Sequence, residues 1–237
     1  MAEQSIKVEN MYKHFGEGDT RVDVIEGASF TVNKGELVAL IAPSGAGKTT
    51  LLMMIGCVTD PTSGKIWLGE ELVYDDKWLV DDTRSIRRRK IGFIFQKSYL
   101  IPFLNTIENV ILLPENNHVP QKQVYAKARE LLSYFDIADK EKAMPNQLSG
   151  GQQQRVAIVR ALANEPQIIL ADEPTAALDT ERSISVVQML KKVAAEQDVA
   201  IIMVTHDETV IPYCDRIMEI VDKKVVMKDS AEDVKVI

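Results

Sequence analysis

Four apolar runs punctuate the chain: residues 37–41 (LVALI), 91–95 (IGFIF), 167–171 (QIILA) and 199–204 (VAIIMV). Runs of this length, bounded by polar and turn residues, predict parallel strands buried on both faces. Between them the period changes. Residues 121–137 place Val124, Ala128, Leu131, Leu132 and Phe135 on one helical face, and a second helix is predicted over 180–196. Before the first run, residues 5–32 alternate in short pieces (Ile6 and Val8, Val22 and Val24, Phe30 and Val32), with turns at 16–19 and 33–35. That pattern predicts antiparallel strands. A turn at 59–64 precedes a strand at 65–69, and a last pair of short strands from Arg216 leads to an acidic terminus. Strands alternating with helices give a three-layer α/β core around a mainly parallel sheet. The block from about 97 to 165 is read as a helical subdomain, within a single domain spanning 1–237.

Composition narrows the class. Hydrophobic residues make up 46% and charged residues 27%, which suits a globular protein with a sizeable core. No apolar run reaches the ~18 residues of a membrane span, and residues 1–10 do not read as a signal peptide. The expectation is a cytoplasmic chain unless a partner holds it at a membrane. A net charge of −7 argues against nucleic acid as a partner. Cys57 and Cys214 show no metal or disulfide spacing and read as core fillers; His14 and His118 read as surface or loop residues. The basic run 83–90, TRSIRRRK, reads first as a solvated helix face; contact with a partner or anionic headgroups is the alternative. Reversal of Arg87, Arg88 and Arg89 to glutamate would test the latter.

The first apolar run continues into Ala42-Pro43-Ser44-Gly45-Ala46-Gly47-Lys48-Thr49-Thr50, with an apolar helix start expected at Leu51 and Leu52. This strand–loop–helix is a phosphate-binding P-loop: backbone amides and a helix N-terminus face the anion. Lys48 can reach β- and γ-phosphates, and the Thr49 hydroxyl suits Mg²⁺. Alanine stands at position 42 where the pattern opens with glycine, so its φ is expected to be negative.

Other strand ends carry matching chemistry. The third run leads to Asp172, positioned to bind Mg²⁺ directly or through water, and Glu173, able to polarise an attacking water. Gln96 follows the second run and could touch both metal and water. His206 follows the fourth and could bond γ-phosphate and water together. Phosphoryl transfer requires little beyond such positioning and charge neutralisation. Leu148-Ser149-Gly150-Gly151-Gln152 opens a helix and makes a second anion cradle. One nucleotide does not need two cradles, so two copies arranged head to tail would each lend Ser149 to the other, with Asp179 near that contact. Tyr12 or Phe15, ahead of the 16–19 turn, could stack on a base or plug the core.

With these residues in place, the sequence resembles the nucleotide-binding subunit of an ABC transporter, over about residues 5–225. The resemblance implies a P-loop NTPase core with an antiparallel β subdomain and an inserted helical signature subdomain. It implies ATP and Mg²⁺ as cofactors and ATP hydrolysis as the activity. Phe15 would stack on adenine, with Tyr12 as the alternative; residues 42–50 would be Walker A, Gln96 the Q-loop, and Ser149 to Gln152 the signature. Asp172 would bind metal with Thr49 and Gln96, Glu173 would be the general base, Asp179 the D-loop and His206 the switch histidine. Lys48 would neutralise phosphate. Ala42 and Ala176 depart from the family pattern, but neither change removes a charged group.

Gly56-Cys57, residues 60–64, Ile91 to Gln96 and LSGGQQQRVAIVRAL resemble the macrolide-efflux, lipoprotein-release and haem-efflux group. That implies a homodimer at the cytoplasmic face of the inner membrane, a permease with an extracytoplasmic domain and, in such systems, a periplasmic adaptor. The permease's coupling helix would dock near 97–109, against Tyr99, Leu100 and Phe103, unless those residues are subdomain core. The alternative function is a division-type regulatory ABC module acting on a membrane partner without transport.

Overall fold

The computed structural model describes residues 3–114, 119–176 and 178–228. His118 and the acidic terminus lie outside them. The first half runs β1 (Gln4–Phe15), β2 (Val22–Asn33), β3 (Leu37–Ile41), α1 (Lys48–Ile55), β4 (Ser63–Leu68), β5 (Glu71–Asp75), α2 (Thr83–Lys90) and β6 (Ile91–Phe95). The second runs α3 (Thr106–Ile111), α4 (Gln121–Tyr134), α5 (Gly150–Leu162), β7 (Ile168–Asp172), α6 (Thr180–Gln197), β8 (Ala200–Val204), β9 (Arg216–Val221) and β10 (Lys224–Lys228).

Two sheets form. One is four-stranded and antiparallel, in the order β2-β1-β4-β5; the other is six-stranded, in the order β10-β9-β3-β8-β7-β6. In the second sheet only the β9–β10 hairpin is antiparallel. The four apolar runs are its four central and edge parallel strands, with β3 in the middle. Alternate residues of one strand serve opposite faces. Ile169 and Ala171 of β7 join Ile201 and Met203 of β8 in a core with α3, α4, α5 and α6. Ile168 and Leu170 join Ala200, Ile202 and Val204 in a core with α1 and the antiparallel sheet. Burial on both faces is why these strands read as unbroken apolar runs.

Several boundaries differ from the sequence-based expectations. Residues 22–33 form one strand, with Gly27 at φ 64 in its middle and register shifts against β1. β5, whose ELVYD sequence mixes apolar and charged positions, carried no strand signal. α1 begins at Lys48, ahead of Leu51, because Gly47 caps it in a left-handed conformation. The block from 97 to 105 is irregular, while Val124, Ala128, Leu131, Leu132 and Phe135 are buried as the periodicity predicts. Cys57 is buried and Cys214 partly so; burial pushes both thiols up to about 12.

α2 is amphipathic rather than wholly solvated. Arg87 donates to the Cys57 and Thr83 oxygens, and Lys90 to the Leu68 carbonyl and the Glu71 carboxylate. Arg84, Arg88 and Arg89 remain exposed. Reversal of Arg87 would therefore disturb packing as well as charge.

Candidate active site

The parallel strands end along one edge, and the predicted residues are placed from there. Beyond β3 the loop 42–47 turns into α1. Gly47, at φ 97, forms the joint, and a Cβ there would lie 2.6 Å from Val24 Cγ1. Only glycine suits both the left-handed backbone and that approach. No side chain caps α1, so its first amides point at whatever occupies the loop. Ala42 keeps a negative φ, since it is absent from the described non-glycine residues with positive values, and it packs partly buried on the second core. Lys48 Nζ donates to the carbonyls of Ala42 (2.7 Å) and Pro43 (3.0 Å), folded over the loop. Pro43, Ser44 and Gly45 are exposed around it, with Ala46 and Thr50 half-buried.

β7 delivers the carboxylates. Thr49 Oγ1 donates to Asp172 Oδ2 at 3.3 Å, joining α1 to the end of β7. Burial holds the Asp172 carboxyl above the usual carboxylate range; the Thr49 bond and Lys48 pull against it, and Glu173 adds to it. Glu173 itself sits at φ 48, a left-handed conformation costing roughly 1–2 kcal/mol for a non-glycine residue. Its amide is held by the Val204 carbonyl at 3.1 Å, and its Oε1 lies 3.2 Å from His206 Nδ1. The turn thus aims Glu173 across β8 at His206. With a proton on Nδ1, the imidazole donates to this carboxylate. Gln96 is exposed one residue beyond Phe95, which pairs in register with Asp172.

The second cradle lies on α5. Ser149 Oγ accepts from the Gln152 amide (3.3 Å) and the Gln152 side chain accepts from the Ser149 amide (2.9 Å), a reciprocal capping box. Ser149 and Gly150 are exposed, and nothing lies within 4 Å of a Cβ built on Gly150. Gly151 faces Leu178 and Arg182 at 3.8 Å, so the starts of α5 and α6 are neighbours. Asp179 caps α6 by accepting from the Arg182 amide (3.0 Å), and it pairs with the Arg182 guanidinium (3.1 Å). An aspartate three residues before an arginine at a helix start could have signalled this cap.

The two aromatic candidates separate. Phe15 ends β1 opposite Val22, two residues from the Val24 that touches the P-loop joint, and 48% of it is exposed. Lys13 Nζ sits 4.5 Å from its ring centre, a cation–π contact without a sequence signal. Tyr12 instead places its hydroxyl against Gly27 and borders a hollow with Ser63, Gly64 and Asp76. Tyr99 and Phe103 are 65% and 77% exposed, while Leu100 packs on the first core.

A divalent ion fits the donors present. The Thr49 hydroxyl and the Asp172 carboxylate are hard oxygen ligands already brought together, and Lys48 only partly offsets the burial of the half-buried carboxylate. No group of three or more His, Cys, Asp or Glu suited to a metal occurs among the described residues. Such an ion would complete its shell from substrate phosphate and water, as Mg²⁺ does.

Comparison with known proteins agrees with this arrangement. The ABC transporter family profile matches residues 25–176, more than half of the chain. A Staphylococcus aureus (strain Newman) protein bearing the name of a hemin import ATP-binding protein, HrtA, is 41% identical over 221 residues, covering 93% of this chain and 99% of that one. The dimeric, post-hydrolysis ATP-binding cassette MJ0796 bound to ADP and Pi superposes with a TM-score of 0.83 at 37% identity, over 94% of this chain and 98% of that one. Clostridium perfringens cbiO1, part of the transporter complex cbiONQ, superposes at 0.86 with 25% identity, over 97% and 90%. With the loop 42–47 beyond β3, Asp172 and Glu173 at the end of β7 and a capped glycine pair opening α5, the chain belongs to the ATP-binding subunits of ABC transporters.

Proposed function

We propose that two copies of this chain close head to tail around ATP and, through that closure, drive a membrane permease of the group that includes macrolide efflux, lipoprotein release and haem efflux. The observation that carries the reading is the open cradle at Ser149. It is preorganised by its capping box and exposed, and it opens α5, whereas the loop that Lys48 already serves opens α1. The dimeric MJ0796 cassette supports the pairing, and the hemin-related name of the staphylococcal relatives supports the group. No helix among the described residues is long and apolar enough to cross a membrane. The permease would therefore supply the spans and hold this chain, a single ATP-binding domain, at the cytoplasmic face. Its extracytoplasmic domain and any adaptor belong to the same proposal.

In this account Lys48 leaves the Ala42 and Pro43 carbonyls for the β- and γ-phosphates, which the loop amides and α1 also bind. Thr49, Asp172 and Gln96 hold Mg²⁺, which supplies charge neutralisation at the phosphates. Glu173 orients the attacking water and takes its proton. His206, now bonded to Glu173, bonds the γ-phosphate and keeps the carboxylate aimed. The partner copy's signature serine and glycine amides close over the γ-phosphate, beside its D-loop aspartate. Phe15 stacks on adenine with Lys13 against its ring.

If the active unit is a pair, specific ATPase activity of the purified chain rises with protein concentration and levels off once pairs dominate. Activity per chain that stays constant from well below to well above the dimerisation range would contradict the reading.

A further inference from the structure

The segment between Gln96 and α3 has no regular secondary structure, yet side chains of distant helices hold it closely. Arg160, in the last turn of α5, donates Nη2 to the Ser98 carbonyl and Nη1 to the Tyr99 carbonyl, both at 2.8 Å. Among the described residues no carboxylate pairs with this guanidinium, and burial lowers its pKa. A half-buried cation devoted to two successive carbonyls is a specific device: the planar fork matches two acceptors at once, which an ammonium cannot do. Gln153 of the same helix accepts from Ser98 Oγ at 3.2 Å and donates to the Pro145 and Leu148 carbonyls just before Ser149. Gln154, also on α5, donates to the Phe95 carbonyl at 3.3 Å.

Tyr99 needs the restraint. Its φ is 43, unfavourable for an aromatic residue, and its ring meets Phe95 edge-on at 5.8 Å. The loop flanked by Phe95 and Tyr99 carries Gln96, and the helix that grips it begins at the signature.

We propose that Arg160, assisted by Gln153, is a positioning residue for ATP turnover that locks the 98–99 backbone to the signature helix, so that Gln96 and Ser149 move as one piece. The inference rests on the ATPase reading above. It assigns the connection to a named pair of hydrogen bonds 61 and 62 residues apart in sequence.

The test uses full-length Arg160→Ala and Arg160→Lys, with wild type and Glu173→Gln as references. Melting temperature, nucleotide affinity of the separate chain and steady-state kinetics are measured for each. We expect both Arg160 variants to melt cooperatively and to bind ATP within about twofold of wild type, because the P-loop is untouched. We expect kcat to fall about tenfold or more in Arg160→Ala, an effect of one catalytic hydrogen-bonding group. Arg160→Lys keeps the charge but not the fork, and recovers only part of that loss. A purely structural role would instead lower melting temperature, affinity and kcat together. Folded variants with wild-type kcat overturn the proposal. If Arg160→Ala does not fold, Arg160→Lys decides; failure of both to fold makes the residue structural and also overturns it. Absence of ATPase activity in wild type would count against the function itself.

Discussion

Asp172 shows how one residue can be tuned against stability. Its carboxyl is raised by burial above the ordinary value, with Thr49 and Lys48 only partly offsetting this. The folded form therefore holds a proton over a pH window in which the unfolded chain has lost it. That contribution is present at acid pH and disappears as pH rises through the raised value, leaving a poorly solvated anion. Asp172→Asn removes the ionisation. Nucleotide-free Asp172→Asn should melt above wild type at neutral pH, with the difference shrinking as pH is lowered through the window, while Mg²⁺-dependent turnover is lost. A neutral-pH melting temperature below wild type would contradict this role for burial. Glu173 makes a similar trade in its backbone, where φ 48 is tolerated because the Val204 carbonyl and His206 fix both ends of the residue. Neither the raised carboxyl nor the left-handed turn could be read from IILADE, because the burial of Asp172 and the Val204 and His206 contacts of Glu173 come from other elements.

At the level of elements, legibility followed burial. β3, β6, β7 and β8 stood out because both faces are covered, and α4 because one face is. The antiparallel sheet was visible as alternation, but its joins at Gly27 and its edge strand β5 were not. The segment 97–105 was misread as part of a helical block, since its order comes from side chains of other elements. Asn109 shows this most clearly. It is fully buried on α3, accepts from the Ile101 amide at 2.7 Å, and donates to the carbonyls of Ile101, Leu104 and Asn105. Replacing it unpairs the Ile101 amide and the Leu104 carbonyl, each worth about 1–3 kcal/mol when unsatisfied, while the Ile101 and Asn105 carbonyls keep the Leu104 and Asn109 amides. Asn109→Ala should lose about 2–4 kcal/mol in urea unfolding. A loss below about 0.5 kcal/mol would mean that water replaces the amide at this site. The same loop presents Tyr99 and Phe103 to solvent, so its rigidity bears on how a permease would be felt.

Across the molecule, the two cores lie on opposite faces of one sheet, and the candidate site residues lie at its strand ends. A pair formed by buried Glu36 and half-buried Arg216, at 3.2 Å, ties the start of β3 to β9, and Glu36 also accepts from the Asn33 amide. The frame is thus fixed at the edge remote from chemistry. The loop 42–50 and the carboxylates after β7 stand out in the sequence because their residue types and spacing match what phosphate chemistry requires. The two-copy arrangement was inferred from a cradle with no use inside one chain. Its most direct test is sedimentation velocity of Glu173→Gln, which should bind ATP without consuming it. With Mg²⁺ and ATP the protein should shift from the mass of one chain to that of two, and adding Ser149→Arg to the same chain should abolish the shift. A Glu173→Gln protein saturated with ATP that stays monomeric, or pairs equally well with Ser149 replaced, would contradict the account.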